Sequence, residues 1–195
     1  MKIYLVRHGE TTGDLEDRFG GDYDDHLTEK GRKQSKELAK QLQNKGIEII
    51  FVSPRIRAKE TATEVQKVLN VPVEVIEDLR ERNNYGVLTG LTKEEARKRY
   101  PVDFEKISKG KTYHDVAGSE SYEKIKKRAI KVFNDILLKN HKVIAVISHG
   151  GIISTYVREV LAKGRNIKLG DCGILEITKN NKGLTLSCLS GAELH

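Results

Sequence analysis

The sequence predicts an α/β fold: a three-layer α/β/α sandwich with a mostly parallel central sheet and an antiparallel edge. Short β-branched, apolar runs alternate with longer amphipathic segments along the chain. Several of these runs are apolar without alternation, which is typical of strands covered on both faces. The last two runs flank the turn "NNKG", which predicts an antiparallel pair at one edge of the sheet.

The elements follow in order from this pattern. Strands are predicted at residues 2–6, 48–52, 73–76, 143–147, 173–177 and 184–188. Helices are predicted at residues 28–44, 58–69, 92–99, 121–138 and 151–162. Thr28 is a suitable N-cap for the first helix, and Gly46 is a suitable residue to end it. Strand followed by helix implies parallel strands joined by helical crossovers.

Length and composition predict a single domain spanning residues 1–195. The chain has 3 prolines, and no run in it is typical of a linker. The longest apolar run, "VIAVI", is too short for a membrane span, and the amino terminus lacks a long apolar stretch, so we expect a cytoplasmic protein. Cys172 and Cys188 are the two cysteines, and we expect free thiols and no cofactor.

The charge of the chain favours anionic partners. Lysine and arginine total 35 against 28 acidic residues, which leaves a formal net charge of +7. Nucleic acid is disfavoured because the lysines are scattered along predicted helices and aromatic residues make up 6% of the chain. A small phosphorylated metabolite fits this charge, no membrane partner is expected, and a homodimer stays open.

Charged residues and glycines follow the predicted strands at the points where they end. Ligands of such sheets bind at the carboxyl ends of the strands, so these side chains are expected to converge at one edge. The residues that we place there are Arg7, His8, Arg57, Glu81, His149 and Gly150.

This set of residues is suited to phosphoryl transfer. Arginines form bidentate contacts with phosphate, and a neutral imidazole can attack phosphorus. A carboxylic acid such as Glu81 can protonate the departing oxygen. A metal site built on His8 and His149 is the rival interpretation. However, neighbouring arginines would not stabilise a bound cation, and no HExxH motif supplies further ligands.

Six motifs in order resemble the histidine phosphatase superfamily, which includes the cofactor-dependent phosphoglycerate mutases. They are "VRHGET", "LTEKG", "SPRIRAKETA", "LRER", "GSESYEKI" and "VISHGG", and together they span nearly the whole chain. The resemblance implies a phosphoglycerate mutase-like fold, no metal, and a phosphohistidine at His8. It also implies that Arg7 and Arg57 clamp the phosphate, that His149 contacts the transferred group, and that Glu81 donates the proton.

The chain departs from the family pattern at several positions. Many members have Trp-Asn where this chain has Gly13 and Asp14, so an amide that would contact phosphate becomes a carboxylate that repels it unless it turns toward Arg18. The family's SPL is "SPR" here, with Arg55 as an extra cation. The segment "ERNNYGVLTGLTK" is more similar to the mutase version, which implies substrate contacts from Arg82 and Lys93.

Two activities remain open at this point. We predict a metal-independent phosphomonoester phosphatase, because the adjacent arginine pair typical of mutases is absent and the segment "FEKISKGKTYHD" offers lysines, which clamp less rigidly. A cofactor-dependent phosphoglycerate mutase is the alternative. Outside the enzyme class, a phosphate-binding protein without turnover and a nucleic-acid binder are also weighed.

Overall fold

A computed structural model describes residues 1–109, 116–162 and 164–194 of the chain. Its centre is one six-stranded sheet with the strand order β3-β2-β4-β1-β5-β6. The strands are β1 (Lys2–Arg7), β2 (Ile49–Val52), β3 (Val73–Val75), β4 (Val143–Ser148), β5 (Ile167–Asn180) and β6 (Gly183–Leu194). Strands β1 to β4 are mutually parallel. Strand β5 is antiparallel to β1, and β6 is antiparallel to β5, which confirms the predicted sheet.

The helices are α1 (Thr12–Leu15), α2 (Glu29–Leu42), α3 (Ile56–Leu69), α4 (Lys93–Arg99), α5 (Pro101–Ser108), α6 (Tyr122–Leu137) and α7 (Gly150–Tyr156). Both faces of the sheet are buried, because consecutive side chains of β1 enter different apolar clusters. Ile3 and Leu5 join a cluster with residues of α6 and α7. Tyr4 and Val6 join the cluster of α2 and α3 on the other face. These two clusters form the layers of the predicted α/β/α sandwich.

Local capping chemistry sets the starts of three predicted helices. The side chains of Thr28, Thr92 and Ser121 accept hydrogen bonds from the backbone N–H groups of Gly31, Glu95 and Lys124. Each N-cap satisfies one of the donors that a helix leaves unpaired in its first turn. Helix α2 ends two residues earlier than predicted, because Asn44 already adopts a positive φ of 64°.

Other elements differ from the prediction. Helix α3 starts at Ile56, two residues before the predicted start, with Arg55 as N-cap. The sequence pattern does not predict helix α5: Pro101 occupies its first turn, and Phe104 packs beside a small third cluster. The last predicted helix changes to a π-helix at Val157–Leu161. The remainder of the lysine-rich segment, residues 110–115, lies outside the described residues.

The parallel strands place their carboxyl ends side by side. Arg7 at the end of β1 pairs with Ser148 at the end of β4, and Val52 at the end of β2 pairs with Ile147. The residues that come next, His8, Ser53 and His149, therefore emerge at one edge of the sheet. This edge is where the candidate site lies.

Candidate active site

His8 stands directly after β1, with its ring held by one contact at each nitrogen. Its Nδ1 lies 2.8 Å from the carbonyl oxygen of Gly9, and its Nε2 lies 3.1 Å from Nε of Arg57. A carbonyl only accepts and a guanidinium only donates, so the proton must be on Nδ1 and the lone pair on Nε2. His8 is 6% exposed and lines an open cavity. The unprotonated nitrogen therefore lies at the wall of a cavity.

Both histidines of the site are held neutral by their surroundings. Burial, followed by the charges of Arg57 and Arg7, lowers the pKa of His8 well below 6.5. Burial and then Arg57 also lower the pKa of His149 well below 6.5. Near neutral pH each imidazole therefore carries one proton, which is the state a nucleophilic histidine requires.

His149 follows β4 and lies behind His8, with the two ring centroids 5.1 Å apart. Its side chain is fully buried, and its Nε2 is 2.6 Å from the hydroxyl oxygen of Ser53. Its Nδ1 is buried without a hydrogen-bond partner among the described residues. Ser53, which is not among the predicted site residues, orients this second histidine.

A cavity of about 230 Å³ opens in front of His8. Six residues predicted for the site line it, namely Arg7, His8, Asp14, Arg57, Glu81 and Gly150. Loop residues that were not predicted complete the wall, among them Tyr23 and Asp25. Residues from four strand ends and one loop therefore converge on one polar cavity, as the sheet topology requires.

The guanidinium of Arg57 is almost fully engaged by the protein. Besides its Nε contact with His8, Nη1 donates to the carbonyl of Tyr23 at 2.6 Å and to Oδ1 of Asp25 at 2.7 Å. Nη2 donates to the carbonyl of Gly21 at 2.9 Å. An arginine has five N–H donors, so these contacts leave one N–H of Arg57 without a protein acceptor among the described residues. Arg57 is fixed tightly against His8.

Arg7 is positioned by an irregular part of β5. Its Nη1 donates to the carbonyl of Leu169 at 3.0 Å and lies 3.3 Å from Oδ1 of Asp171. The register of β5 against β6 shifts in this region, and Cys172 has a positive φ of 53°. This bulge brings Asp171 back toward the end of β1. No pattern in the sequence signals that contact.

Glu81 rests on the amino terminus of α7. Its carboxylate accepts hydrogen bonds from the backbone N–H groups of Gly151 at 2.9 Å, Ile152 at 3.1 Å and Arg82 at 2.7 Å. A helix amino terminus favours an anion at this position. The contact also explains the second glycine of "SHGG", since a Cβ on Gly151 would lie 2.5 Å from Oε1 of Glu81.

Another part of the cavity wall is built around Gly13. A Cβ at this position would lie 2.0 Å from the hydroxyl of Tyr23, so the phenol fills the space of a missing side chain. The Tyr23 hydroxyl donates to Oδ2 of Asp25 at 3.2 Å. Burial and then the charge of Asp25 raise the pKa of Tyr23, which keeps the phenol protonated. The phenol of Tyr23 therefore occupies the space of a side chain at position 13, where many members of the family have tryptophan.

Two charged residues left undecided by the sequence now have partners. The carboxylate of Asp14 accepts from the backbone N–H and the hydroxyl of Thr11, both at 2.9 Å, and so caps α1 instead of turning toward Arg18. Arg55 donates to Asp22 at 2.7 Å and lies 3.4 Å from Asp24. Arg55 thus ties the loop of residues 20–26 to the start of α3.

Arg82 and Lys93 are not among the residues that line the cavity of His8. Arg82 donates to the carbonyl of Glu120 and lines a separate cavity of about 180 Å³. Lys93 lies 3.5 Å from Asp17 and 3.8 Å from the ring centroid of Phe19. The structure therefore does not bring these two predicted substrate contacts next to His8.

Neither a metal-binding cluster nor a membrane-spanning helix occurs among the described residues. No group of three or more histidine, cysteine, aspartate or glutamate side chains there could hold a metal ion. Within the same residues, no helix has the length and apolar character to span a membrane.

Comparison with known proteins identifies the family. The family model described as the histidine phosphatase superfamily (branch 1) matches residues 3–190. Phosphoserine phosphatase 1 of Hydrogenobacter thermophilus is 32% identical over 151 residues, which cover 76% of this chain and 71% of that protein. The metal-independent phosphoserine phosphatase of Arabidopsis thaliana is 33% identical over 164 residues, covering 80% of this chain and 68% of the relative.

A solved structure supports the same assignment. A mutant of phosphoserine phosphatase from Entamoeba histolytica, in complex with phosphoserine, superposes with a TM-score of 0.71 at 25% identity over 96% of this chain and 95% of that one. The chain belongs to the histidine phosphatase superfamily, as its motifs predicted. It is a phosphoric monoester hydrolase of this family.

Proposed function

We propose that the protein hydrolyses a small phosphorylated metabolite through a covalent phosphohistidine on Nε2 of His8. The observation that carries this proposal is the single unprotonated nitrogen of His8, held by Arg57 at the wall of a polar cavity. The lone pair of this neutral imidazole accepts from Arg57, beside a cavity that also presents Arg7, and it can attack a bound phosphoryl group once the Nε–H of Arg57 shifts to that group. His149 stands directly behind it.

In the first step, the lone pair of Nε2 forms a bond to phosphorus while the bond between phosphorus and the ester oxygen breaks. The proton on Nδ1 stays hydrogen-bonded to the carbonyl of Gly9. Arg57 stays in place beside His8, and its Nε–H changes acceptor from Nε2 to an oxygen of the incoming phosphoryl group, where it spreads the charge. Glu81, which must first take up a proton, gives it to the departing alkoxide. The alcohol leaves and Glu81 becomes a carboxylate.

In the second step, Glu81 acts as a base in the carboxylate form that its three backbone donors hold. It removes a proton from a water molecule as the water oxygen attacks phosphorus. The bond between phosphorus and Nε2 breaks, and its electron pair returns to the imidazole. Inorganic phosphate and a neutral His8 result, so no metal ion is required in either step.

Hydrolysis is favoured over a mutase reaction by the location of the basic side chains. A mutase must hold a second anionic group of its substrate close to the phosphohistidine. The two candidates for that contact, Arg82 and Lys93, are not among the residues lining the cavity of His8. Arg18 does line this cavity, but its guanidinium already donates to Glu16 and Glu95. Phosphoserine is the first substrate to test, because relatives of this chain are named for its hydrolysis.

Trapping the intermediate tests the proposal. The protein is mixed with a radioactively labelled phosphomonoester in the presence of EDTA and quenched in alkali, in which phosphohistidine survives. We expect wild type to retain about one label per chain in a burst and His8→Ala to retain none. The matched control is His141→Ala, since His141 is a partly exposed histidine paired with Glu48. A His8→Ala protein that still traps the label would overturn the mechanism.

We also propose a cytoplasmic location for the protein, and the homodimer stays a prediction. A soluble metabolite as substrate is consistent with the first, and light scattering of the purified chain tests the second. The same substrate panel should include 3-phosphoglycerate, with formation of 2-phosphoglycerate as the readout for mutase activity. Release of phosphate without that isomer is the expected result.

A further inference from the structure

Asp25 is a buried carboxylate that neither the motifs nor the reaction steps account for. It is 8% exposed and lines the same cavity as His8. Its Oδ1 accepts from Nη1 of Arg57 at 2.7 Å, and its Oδ2 accepts from the hydroxyl of Tyr23 at 3.2 Å. A buried acid with this location opposes an incoming phosphate, so its presence needs a reason.

The reason lies in the orientation of Arg57. A guanidinium can present either its Nε edge or its two terminal nitrogens to a neighbour. Here Asp25 and the carbonyls of Gly21 and Tyr23 hold the terminal nitrogens, which leaves Nε facing Nε2 of His8. The two carbonyls belong to the backbone of the loop, and Asp25 supplies the charged acceptor.

We propose that Asp25 is a positioning residue of the phosphatase reaction, which holds Arg57 with its Nε against His8 and offsets the charge of Arg57 in the phosphate cavity. This inference rests on the proposed function, because it assigns Asp25 to the phosphohistidine step. Asp25 does not touch the reacting atoms. It acts through Arg57, and two separate consequences follow from its two roles.

The first consequence concerns geometry. Asp25→Ala removes the charged acceptor of Arg57 and the acceptor of Tyr23, so the carbonyls of Tyr23 and Gly21 alone hold the guanidinium and it can shift relative to His8. A displacement of about 1 Å at a catalytic group costs on the order of 100-fold in rate. We expect Asp25→Ala to lose about 30- to 100-fold in kcat for hydrolysis of p-nitrophenyl phosphate, with a smaller change in KM. Asp25→Asn keeps a carbonyl oxygen for Arg57 and should stay within about fivefold of wild type.

The second consequence concerns charge. Asp25→Asn removes one negative charge from the cavity lining while the shape is kept, so inorganic phosphate should bind about three- to tenfold more tightly. The matched control is Asp24→Asn, which removes the same charge from the adjacent position. The Asp24 carboxylate accepts from the backbone N–H of Ile56, contacts Arg55, and is not among the residues that line the cavity. Its phosphate affinity should match wild type.

Phosphate affinity is measured by isothermal titration calorimetry, which needs no turnover. If wild type binds phosphate but hydrolyses nothing, the proposed function fails while the calorimetric comparison still tests Asp25. Equal rate losses in Asp25→Ala and Asp25→Asn would overturn the positioning role. An Asp25→Asn protein that binds phosphate no more tightly than Asp24→Asn would overturn the charge role. Should Asp25→Ala fail to fold, a loss in kcat of more than about fivefold in Asp25→Asn, which keeps an oxygen acceptor for Arg57, would overturn the positioning role.

Discussion

Replacing Gly151 by alanine tests whether the cradle at the start of α7 is what places Glu81. The added Cβ would lie 2.5 Å from Oε1 and 3.1 Å from Cδ of Glu81. Ordinary contact requires the carboxylate to retreat by roughly 0.5 to 0.9 Å. That retreat stretches the hydrogen bonds from the backbone N–H groups of Gly151 and Ile152, now 2.9 and 3.1 Å long.

The expected cost depends on how much the leaving group needs a proton. General acid catalysis contributes about 100- to 10,000-fold, and misplacement by about 1 Å costs on the order of 100-fold. For an alkyl phosphate such as phosphoserine, we expect Gly151→Ala to lose about 10- to 100-fold in kcat/KM. For p-nitrophenyl phosphate, whose phenolate leaves readily without a proton, we expect a loss of about threefold or less.

Steady-state kinetics on both substrates checks this prediction, with Gly150→Ala as the comparison. A Cβ on Gly150 would meet Cδ of Arg7 at 3.7 Å, which is an ordinary contact, so its effect should be smaller and the same for the two substrates. A uniform loss on both substrates in Gly151→Ala would show that the glycine serves the fold and not Glu81. An unchanged rate on phosphoserine would show that this cradle does not set the catalytic position of Glu81.

Other perturbations have equally definite outcomes. Because burial keeps His8 and His149 neutral below pH 6.5, the acidic limb of kcat/KM should lie below that pH. The same imidazoles bind protons only after unfolding, so the free energy of unfolding, measured in urea, should fall below pH 6.5 by at most about 1.4 kcal/mol per pH unit for each histidine. Asp14→Asn removes a charge from the cavity lining and should tighten competitive inhibition by phosphate a few-fold, whereas an unchanged inhibition constant would contradict this. Arg128→Met leaves the carboxylate of Glu120 unpaired and should lower the free energy of unfolding by about 3 kcal/mol, measured by chemical denaturation. EDTA should leave activity unchanged in a phosphate-release assay, and inactivation that Mg²⁺ reverses would contradict the mechanism.

The parts of the site that could be predicted are those set by the ends of regular elements. His8 and His149 follow parallel strands, and the register of Arg7 with Ser148 brings them together automatically. Glu81 follows the segment after β3, and Arg57 lies in the first turn of α3. Each of these positions depends on local patterns that a sequence displays, namely the apolar period of a strand and the start of a helix.

The parts that could not be predicted depend on irregular backbone. Tyr23 and Asp25 lie in a loop with no periodic pattern, and their contacts with Arg57 arise from residues more than thirty positions away. Asp171 reaches Arg7 because a bulge interrupts β5. Helix α5 was missed for a related reason: it is short, none of its residues is buried, and Phe104 and Ile107 pack only on a small satellite cluster.

The pairing of charges at the site connects the fold to the choice of reaction. Arg7 lies against Asp171 and Arg57 against Asp25, so both arginines near His8 reach the phosphate with part of their charge already offset. Fully unpaired arginines would hold the phosphoryl group and the product alike, and such uniform binding does not raise kcat. A hydrolase has to release inorganic phosphate in every cycle, whereas a mutase returns the phosphoryl group to an organic acceptor. Partial neutralisation by Asp25 and Asp171 therefore suits a phosphatase, although the chain as a whole carries a formal net charge of +7.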